Sequence, residues 1–204
     1  FGFDWALARR FGAEPGCFLS VKVRCADAML AMIEQGYYVV DRQVAYAIKR
    51  SDLVSSCGDA NSRFNARAVR DHVPEVAGMF SEGRFFRDEL IANDKADRRN
   101  QNWLNDILTN GGAILQMSDT NKNVVGYFAF FGDSLCLNWL LPDYRGKGLG
   151  MRSYRGAFSQ WFNINAGITE IVTVVGENNA PAKKILESMG ATAVDSYFYL
   201  HKWT

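Results

Sequence analysis

Histidine is almost missing from this chain: His72 and His201 are the only two in 204 residues. Neither sits in a Ser, Cys or His nucleophile context, which argues against imidazole-driven covalent catalysis. The four cysteines, Cys17, Cys25, Cys57 and Cys136, form no CxxC pair and have no histidine-rich neighbourhood. That spacing argues against both a disulfide framework and a zinc site, so no metal is expected, and reduced thiols suggest a cytoplasmic protein. No window approaches 18 uninterrupted apolar residues, so no membrane-spanning helix is expected. Charge of one sign is also lacking, with 23 basic against 22 acidic residues and a net charge of +1. Nucleic acid is therefore not an expected partner, because a polyanion-binding surface needs a clustered basic excess. The absence of a short sequence period excludes a repeat array. The chain begins at Phe1 rather than Met, which leaves room for a preceding segment.

With 48% apolar and 22% charged residues, the chain has an ordinary globular composition, enough for one large domain or one and a half small ones. A polar stretch from Lys49-Arg50-Ser51-Asp52 to Ser62 divides an N-terminal piece, 1–50, from a main domain, 63–204, with 51–62 as linker. A second polar run, NDKADRRNQN over 93–102, reads as a solvated loop entering a helix at Trp103. Strands are predicted over 64–69, 113–117, 124–131 and 135–141, with a helical spacing of apolar residues over 72–80. A helix over 150–166, a strand over 171–175, a helix over 180–189 stopped by Gly190, and a last strand over 192–203 follow. Strands with helices between them make an α/β fold. The layout Ala28…Gly36…Val40-Asp41 echoes Ala182…Gly190…Val194-Asp195, each a short amphipathic helix, a Gly stop and a strand. Coincidence and a partial copy of the main domain's last part both account for it.

The segment that carries chemistry is Arg145-Gly146-Lys147-Gly148-Leu149-Gly150, between a strand and an amphipathic helix. Its glycines let the backbone turn sharply and approach a ligand. The unpaired amides and positive dipole end of the following helix complete an anion cradle. Arg145 and Lys147 can add charge at its rim. It is neither a Walker loop, since Lys147 is followed by Gly148, nor a GxGxxG dinucleotide fingerprint; it fits [Q/R]xxGx[G/A].

The run Pro142-Asp-Tyr-Arg-Gly-Lys-Gly-Leu-Gly150, with Asn179 followed by Ala182, resembles the acetyl-CoA loop and helix start of the GCN5-related N-acetyltransferases, the GNAT family. The order of elements agrees over residues 63–204. The resemblance implies a GNAT fold, a mixed central sheet flanked by helices, with a small partial GNAT-like piece at the N-terminus. It implies acetyl-CoA as cosubstrate, contacted by Leu140, Leu141, Arg145, Gly146, Lys147, Gly148, Leu149, Gly150, Asn179 and Ala182. It also implies a strand 137–141 splayed from 171–175, with Asn138 and Trp139 beside the thioester, and direct attack by an amine in a ternary complex. The chain departs from the family at Leu186, where many relatives carry a Tyr that protonates the leaving thiolate. Tyr197, Tyr199 or Tyr127, or water, would have to serve instead, and Asp133 or Glu177 is a candidate base.

For the acceptor, Phe80-Ser-Glu-Gly-Arg84-Phe85-Phe86-Arg87-Asp88, followed by Trp103 to Leu108, is more loosely similar to dTDP-fucosamine acetyltransferases, GNAT enzymes acting on a nucleotide-linked 4-amino sugar. Arg84 and Arg87 could hold a diphosphate beside Phe85, or the Phe side chains could pack in the core with the arginines in water. The expected partner is a small-molecule amine, ahead of a protein amine or a non-catalytic acyl-CoA-binding role. The aromatic last strand could pair across a homodimer or fill the core.

Overall fold

A computed structural model describes residues 18–55, 64–69 and 72–203; Cys17, Cys57 and most of the predicted linker lie outside them. The elements are β1 (Phe18–Val23), α1 (Ala26–Glu34), β2 (Tyr38–Lys49), α2 (Arg50–Ser55), β3 (Asn65–Val69), α3 (Arg84–Arg87) and α4 (Asn93–Thr109). They continue with β4 (Ala113–Ser118), β5 (Val124–Phe131), β6 (Ser134–Leu140), α5 (Gly150–Ile164), β7 (Glu170–Gly176), α6 (Ala180–Ser188) and β8 (Thr192–Trp203). The strands form one mixed sheet in the order β1-β8-β2-β7-β6-β5-β4-β3, as the α/β reading requires. Neighbours are antiparallel except β6 and β7.

One face of the sheet buries Phe128, Phe130, Phe158, Leu186 and Met189 under α5 and α6. The other buries Ile114, Ala129 and Trp139 against Leu104 and Ile107 of α4. Inward and outward alternation on β4 and β5 sends successive side chains to these two cores.

Helix α4 begins ten residues before the predicted start at Trp103, so the polar run over 93–102 is helix rather than loop. Its buried face is Ala96, Asn100, Leu104 and Ile107, a helical spacing whose first half is small or polar and so carries little apolar signal. The helix predicted over 72–80 does not form. Pro74 lacks a backbone donor and Gly78 sits at φ 69°, both hostile to a continuous helix. Side chains of α4 satisfy this irregular segment instead. The Val76 N–H donates to Gln101 Oε1 at 3.1 Å, Gln101 Nε2 donates to the Pro74 carbonyl at 3.2 Å, and the Gly78 N–H donates to Asp97 Oδ2 at 3.0 Å.

The start of the predicted linker is helical and anchored. Arg50 donates to the carbonyls of Phe162 (2.6 Å), Asn165 (3.0 Å) and Ile168 (2.9 Å), capping the C-terminal end of α5 with a cation. The boundary between 1–50 and 63–204 coincides with no break in the sheet, because β2 lies between β7 and β8.

The sequence echo has a structural counterpart. The units β1-α1-β2 and β7-α6-β8 are related by a local two-fold axis through the Gln43↔Tyr197 pair. Tyr38↔His201 and Val39↔Leu200 at one end mirror Ala47↔Thr192 and Tyr46↔Ala193 at the other, and Val40 and Val194 are each bulged out. Gly36 and Gly190 end the two helices at φ 87° and 88°. The helix starts correspond as well: Cys25 Sγ accepts from the Ala28 N–H and Asn179 Oδ1 from the Ala182 N–H. In this arrangement β8 is paired on both edges, by β1 and β2. On the β1 side only Phe198 to Trp203 are paired, so among the described residues 192–197 are held by β2 alone.

Candidate active site

The cleft is made by two strands that start together and separate. β6 and β7 pair only at Ser134↔Val172 and Leu135↔Thr173. Beyond that point β6 follows β5 as far as Leu140↔Gly126, while β7 follows β2 from Lys49↔Glu170 to Gln43↔Gly176. Gly126 permits the close approach, since a Cβ there would lie 2.3 Å from the Trp139 carbonyl oxygen. The opening holds a cleft of about 880 Å³ lined on its two sides by Leu137 to Leu140 and by Val172 to Gly176.

The glycine-rich turn closes one end. Gly146 and Gly148 adopt φ 71° and 69°, a conformation that other residues resist, and nothing lies within 4 Å of where a Cβ would be. Gly150 packs closely on α6: a Cβ there would lie 2.6 Å from the tip of the Ile185 side chain, which would have to shift. The N-cap of α5, Leu149, makes no side-chain capping bond, whereas α6 is capped by Asn179 and α1 by Cys25. The α5 N-terminus therefore offers its first-turn amides and positive dipole end to the cleft, as a phosphate site requires. The residues present thus fit the pyrophosphate of acetyl-CoA.

Most of the residues implied by sequence line this cleft: Asn138, Trp139, Leu140, Arg145, Gly146, Gly148, Leu149, Gly150, Asn179, Ala182, Arg84, Phe85, Arg87 and Tyr199. Leu141, Lys147 and Tyr197 do not. The Leu141 amide donates to Val125 at 2.9 Å, and Lys147 is exposed with its Nζ 5.8 Å from the Tyr144 ring. Tyr197 lies under Lys22 Nζ, 3.4 Å from its ring centroid. Arg145 is exposed but tethered at both ends of its guanidinium. Its Nε donates to the Leu140 carbonyl (2.9 Å) and Nη2 to the Met79 carbonyl (2.6 Å), so it clasps the segment 79–83 over the cleft. Asn179 spends its side-chain oxygen on the Ala182 N–H at 3.2 Å, a capping bond that accounts for the three-residue spacing of that pair.

Arg87 donates to Asp41 Oδ1 at 2.7 Å and to Glu82 Oε2 at 3.1 Å, so its charge is already compensated within the protein. Arg84 is different. Its guanidinium lies 4.7 Å from the Phe85 ring and 4.1 Å from the Tyr199 ring, and its buried Nε has no hydrogen-bond partner. Burial lowers its pKa, opposed by Tyr199 and by the Asp41 charge.

Partners and burial at the cleft add what the sequence does not give. Tyr154 of α5 donates to Asn138 Oδ1 at 3.0 Å, and burial pushes its pKa up to about 12, so it stays protonated. The buried Trp139 indole N–H lacks a protein acceptor among the described residues, leaving a donor on the cleft wall. Cys136 also lines the cleft, and burial raises its thiol to about 11, which makes it a poor nucleophile. Leu186 is fully buried in the core, so α6 presents no hydroxyl there. Behind the cleft, His201 and Asp88 are buried together with Nδ1 and Oδ2 2.6 Å apart; Tyr38 donates to the same oxygen at 2.8 Å. This network pins the end of α3, and with it Arg84 and Phe85, to β2 and β8.

No family model matches the chain. Over 133 residues it is 27% identical to the spore coat polysaccharide biosynthesis protein SpsD of Bacillus subtilis (strain 168), a match spanning 61% of this chain and 44% of that protein. Among solved structures, a GCN5-related N-acetyltransferase from Sphaerobacter thermophilus superposes with a TM-score of 0.57 at 16% identity. That match covers 94% of this chain and 61% of the other. A tandem GNAT protein from the clavulanic acid biosynthesis pathway gives a TM-score of 0.61 at 12% identity, covering 91% of this chain and 64% of that one. The chain thus has the GNAT fold, and it spans less than two thirds of the length of each of these relatives.

Proposed function

We propose that the chain is an acetyl-CoA-dependent N-acetyltransferase acting on a primary amine of a small molecule, with a nucleotide-linked amino sugar as acceptor. The observation that carries this is the gap between β6 and β7 ending at the uncapped N-terminus of α5. The turn Gly146 to Gly150 seats the pyrophosphate, and the strand edges flanking the gap hold the pantetheine arm extended. The thioester then lies beside Asn138 and Trp139. The neutral amine attacks the thioester carbon; the C–N bond forms, the C–S bond breaks, and the proton lost by nitrogen is matched by one delivered to the thiolate. Of the three tyrosines proposed as proton donors, Tyr199 lines the cleft while Tyr127 and Tyr197 do not. The sugar part of the reading is supported by the similarity to a polysaccharide biosynthesis protein.

The test is a thiol-release assay with acetyl-CoA against nucleotide-linked amino sugars, free amino sugars, polyamines, amino acids and peptides. Turnover confined to amino sugars is expected. Turnover on peptides alone would overturn the acceptor class, and absence of a thermal shift with acetyl-CoA would overturn the cofactor. Buried Leu186 favours one second reading, an acyl-CoA-binding module; its signature is a thermal shift with no turnover on any amine.

A further inference from the structure

Four cations and four aromatic rings alternate in one strip that runs out of the acceptor end of the cleft. Arg99 lies 4.4 Å from the Trp103 ring and 4.5 Å from Phe85; Arg84 lies between Phe85 and Tyr199. Lys22 follows, 5.9 Å from the Tyr199 ring and 3.4 Å from Tyr197, and Arg24 lies 5.6 Å from Tyr197. The pieces come from β1 and the residue after it, β8, α3 and α4, so the strip exists only in the folded chain.

The counter-charges are unevenly placed. Arg24 has Asp195 at 3.3 Å, and Arg87 takes both Asp41 and Glu82. Among the described residues no carboxylate lies within ion-pair distance of Arg84 or Lys22. Burial lowers the pKa of Lys22, and the charges of Arg24 and Arg84 lower it further against the opposing charge of Asp195, so positive charge predominates around Lys22 and Arg84. A half-buried cationic group without a partner is costly unless an anion completes it.

We infer that the acceptor carries a phosphate-bearing group, which binds on Arg84, Arg99 and Lys22 against the faces of Phe85 and Tyr199 and leaves the amine toward the gap between β6 and β7. This rests on the acetyltransferase reading. Arg99 and Lys22 are the added residues, and Arg87 is left out because its carboxylates hold it. The rings fit a planar base or a sugar face beside the phosphate.

The experiment is calorimetric binding of inorganic pyrophosphate, UDP and uridine to protein saturated with CoA, so that the cofactor's own phosphate site is filled. Pyrophosphate and UDP bind and uridine does not; tighter binding of UDP than of pyrophosphate identifies a nucleotide, and equal binding a simpler sugar phosphate. Arg84→Gln and Arg99→Gln each weaken UDP by about tenfold or more, the equivalent of one charge-assisted hydrogen bond, and leave CoA affinity unchanged. Should a melting curve show either variant unfolded, Lys22→Met, a half-buried cation further along the strip, reports the same loss. The inference is overturned if CoA-loaded protein binds neither pyrophosphate nor UDP, or if the folded variants bind UDP as well as the parent does. Failure of CoA itself to bind is a separate result, which overturns the acetyltransferase reading instead.

Discussion

Substituting Gly148 by alanine isolates the backbone requirement of the cofactor turn. Gly148 sits at φ 69° with nothing within 4 Å of the position a Cβ would take, so the change introduces no clash. Its cost is conformational: a non-glycine residue held in the left-handed region loses about 1–2 kcal/mol. Restricting the unfolded chain offsets roughly 0.4–1 kcal/mol of this. The net loss of about 1 kcal/mol lowers Tm by about 2–4 °C for a chain of this size. If the turn instead relaxes toward negative φ, stability is regained, but the amides that converge on the cradle rotate away. Losing one charge-assisted bond to pyrophosphate costs roughly 1.5–3 kcal/mol, or about ten- to a hundredfold in acetyl-CoA affinity. Gly167 is the internal control, open around its Cβ position and without a positive φ, so Gly167→Ala should be neutral or slightly stabilising. Differential scanning calorimetry and titration calorimetry with acetyl-CoA read both effects. A Gly148→Ala protein that melts with Gly167→Ala and binds acetyl-CoA like the parent would refute the reasoning.

His201 is held neutral by burial, which lowers its pKa against the opposing effect of Asp88. With the folded value below the unfolded one near 6.5, its contribution to stability is present above about pH 6.5 and is lost as pH falls toward the depressed folded value. Denaturant titrations from pH 7.5 to 5 should show this loss, and His201→Gln should flatten it. Arg145→Ala removes the bonds to Leu140 and Met79; hydrogen exchange should then speed up over 79–83 while the rest of β6 stays protected. With its pKa at about 11, Cys136 is only about one part in a thousand thiolate at pH 8. Alkylation mapped by mass spectrometry should therefore label exposed Cys25 well before Cys136.

The parts of this fold visible in the sequence are those governed by neighbours along the chain. β3 to β6 announce themselves by apolar alternation between turn residues, and the glycines at 146 and 148 mark a turn whose backbone does need them. What escaped notice depends on distant partners. The first half of α4 packs through Ala96 and Asn100, which no hydropathy pattern separates from a loop, and Arg50 reads as part of a polar boundary stretch although it caps α5. Arg145 is a matching motif residue whose direction is decided by a carbonyl at Met79, far away in the chain. Likewise Arg84 and Arg87 are indistinguishable in sequence, and only the positions of Asp41 and Glu82 make one a structural ion pair and leave the other facing the cleft.

The symmetric pair β1-α1-β2 and β7-α6-β8 bears directly on how far the chain can be divided. β8 has two neighbours in the sheet, β1 and β2, and both lie before residue 50. β7 has β2 along seven residue pairs and β6 along only two, Ser134↔Val172 and Leu135↔Thr173. A chain cut to begin at Asn65 would leave β8 with no strand partner and β7 attached to the sheet by its start alone. The wall of the cleft that faces β6 would then lack support, as would Tyr199 with its Arg84 contact. The unpaired edges would be exposed and prone to pair between molecules. The truncated chain should therefore fail to melt cooperatively, show no acetyl-CoA-dependent thermal shift, and associate in sedimentation experiments. A monomeric, cooperatively melting fragment that binds acetyl-CoA would show the reverse: that 63–204 is a domain in its own right and the N-terminal unit an addition to its edge.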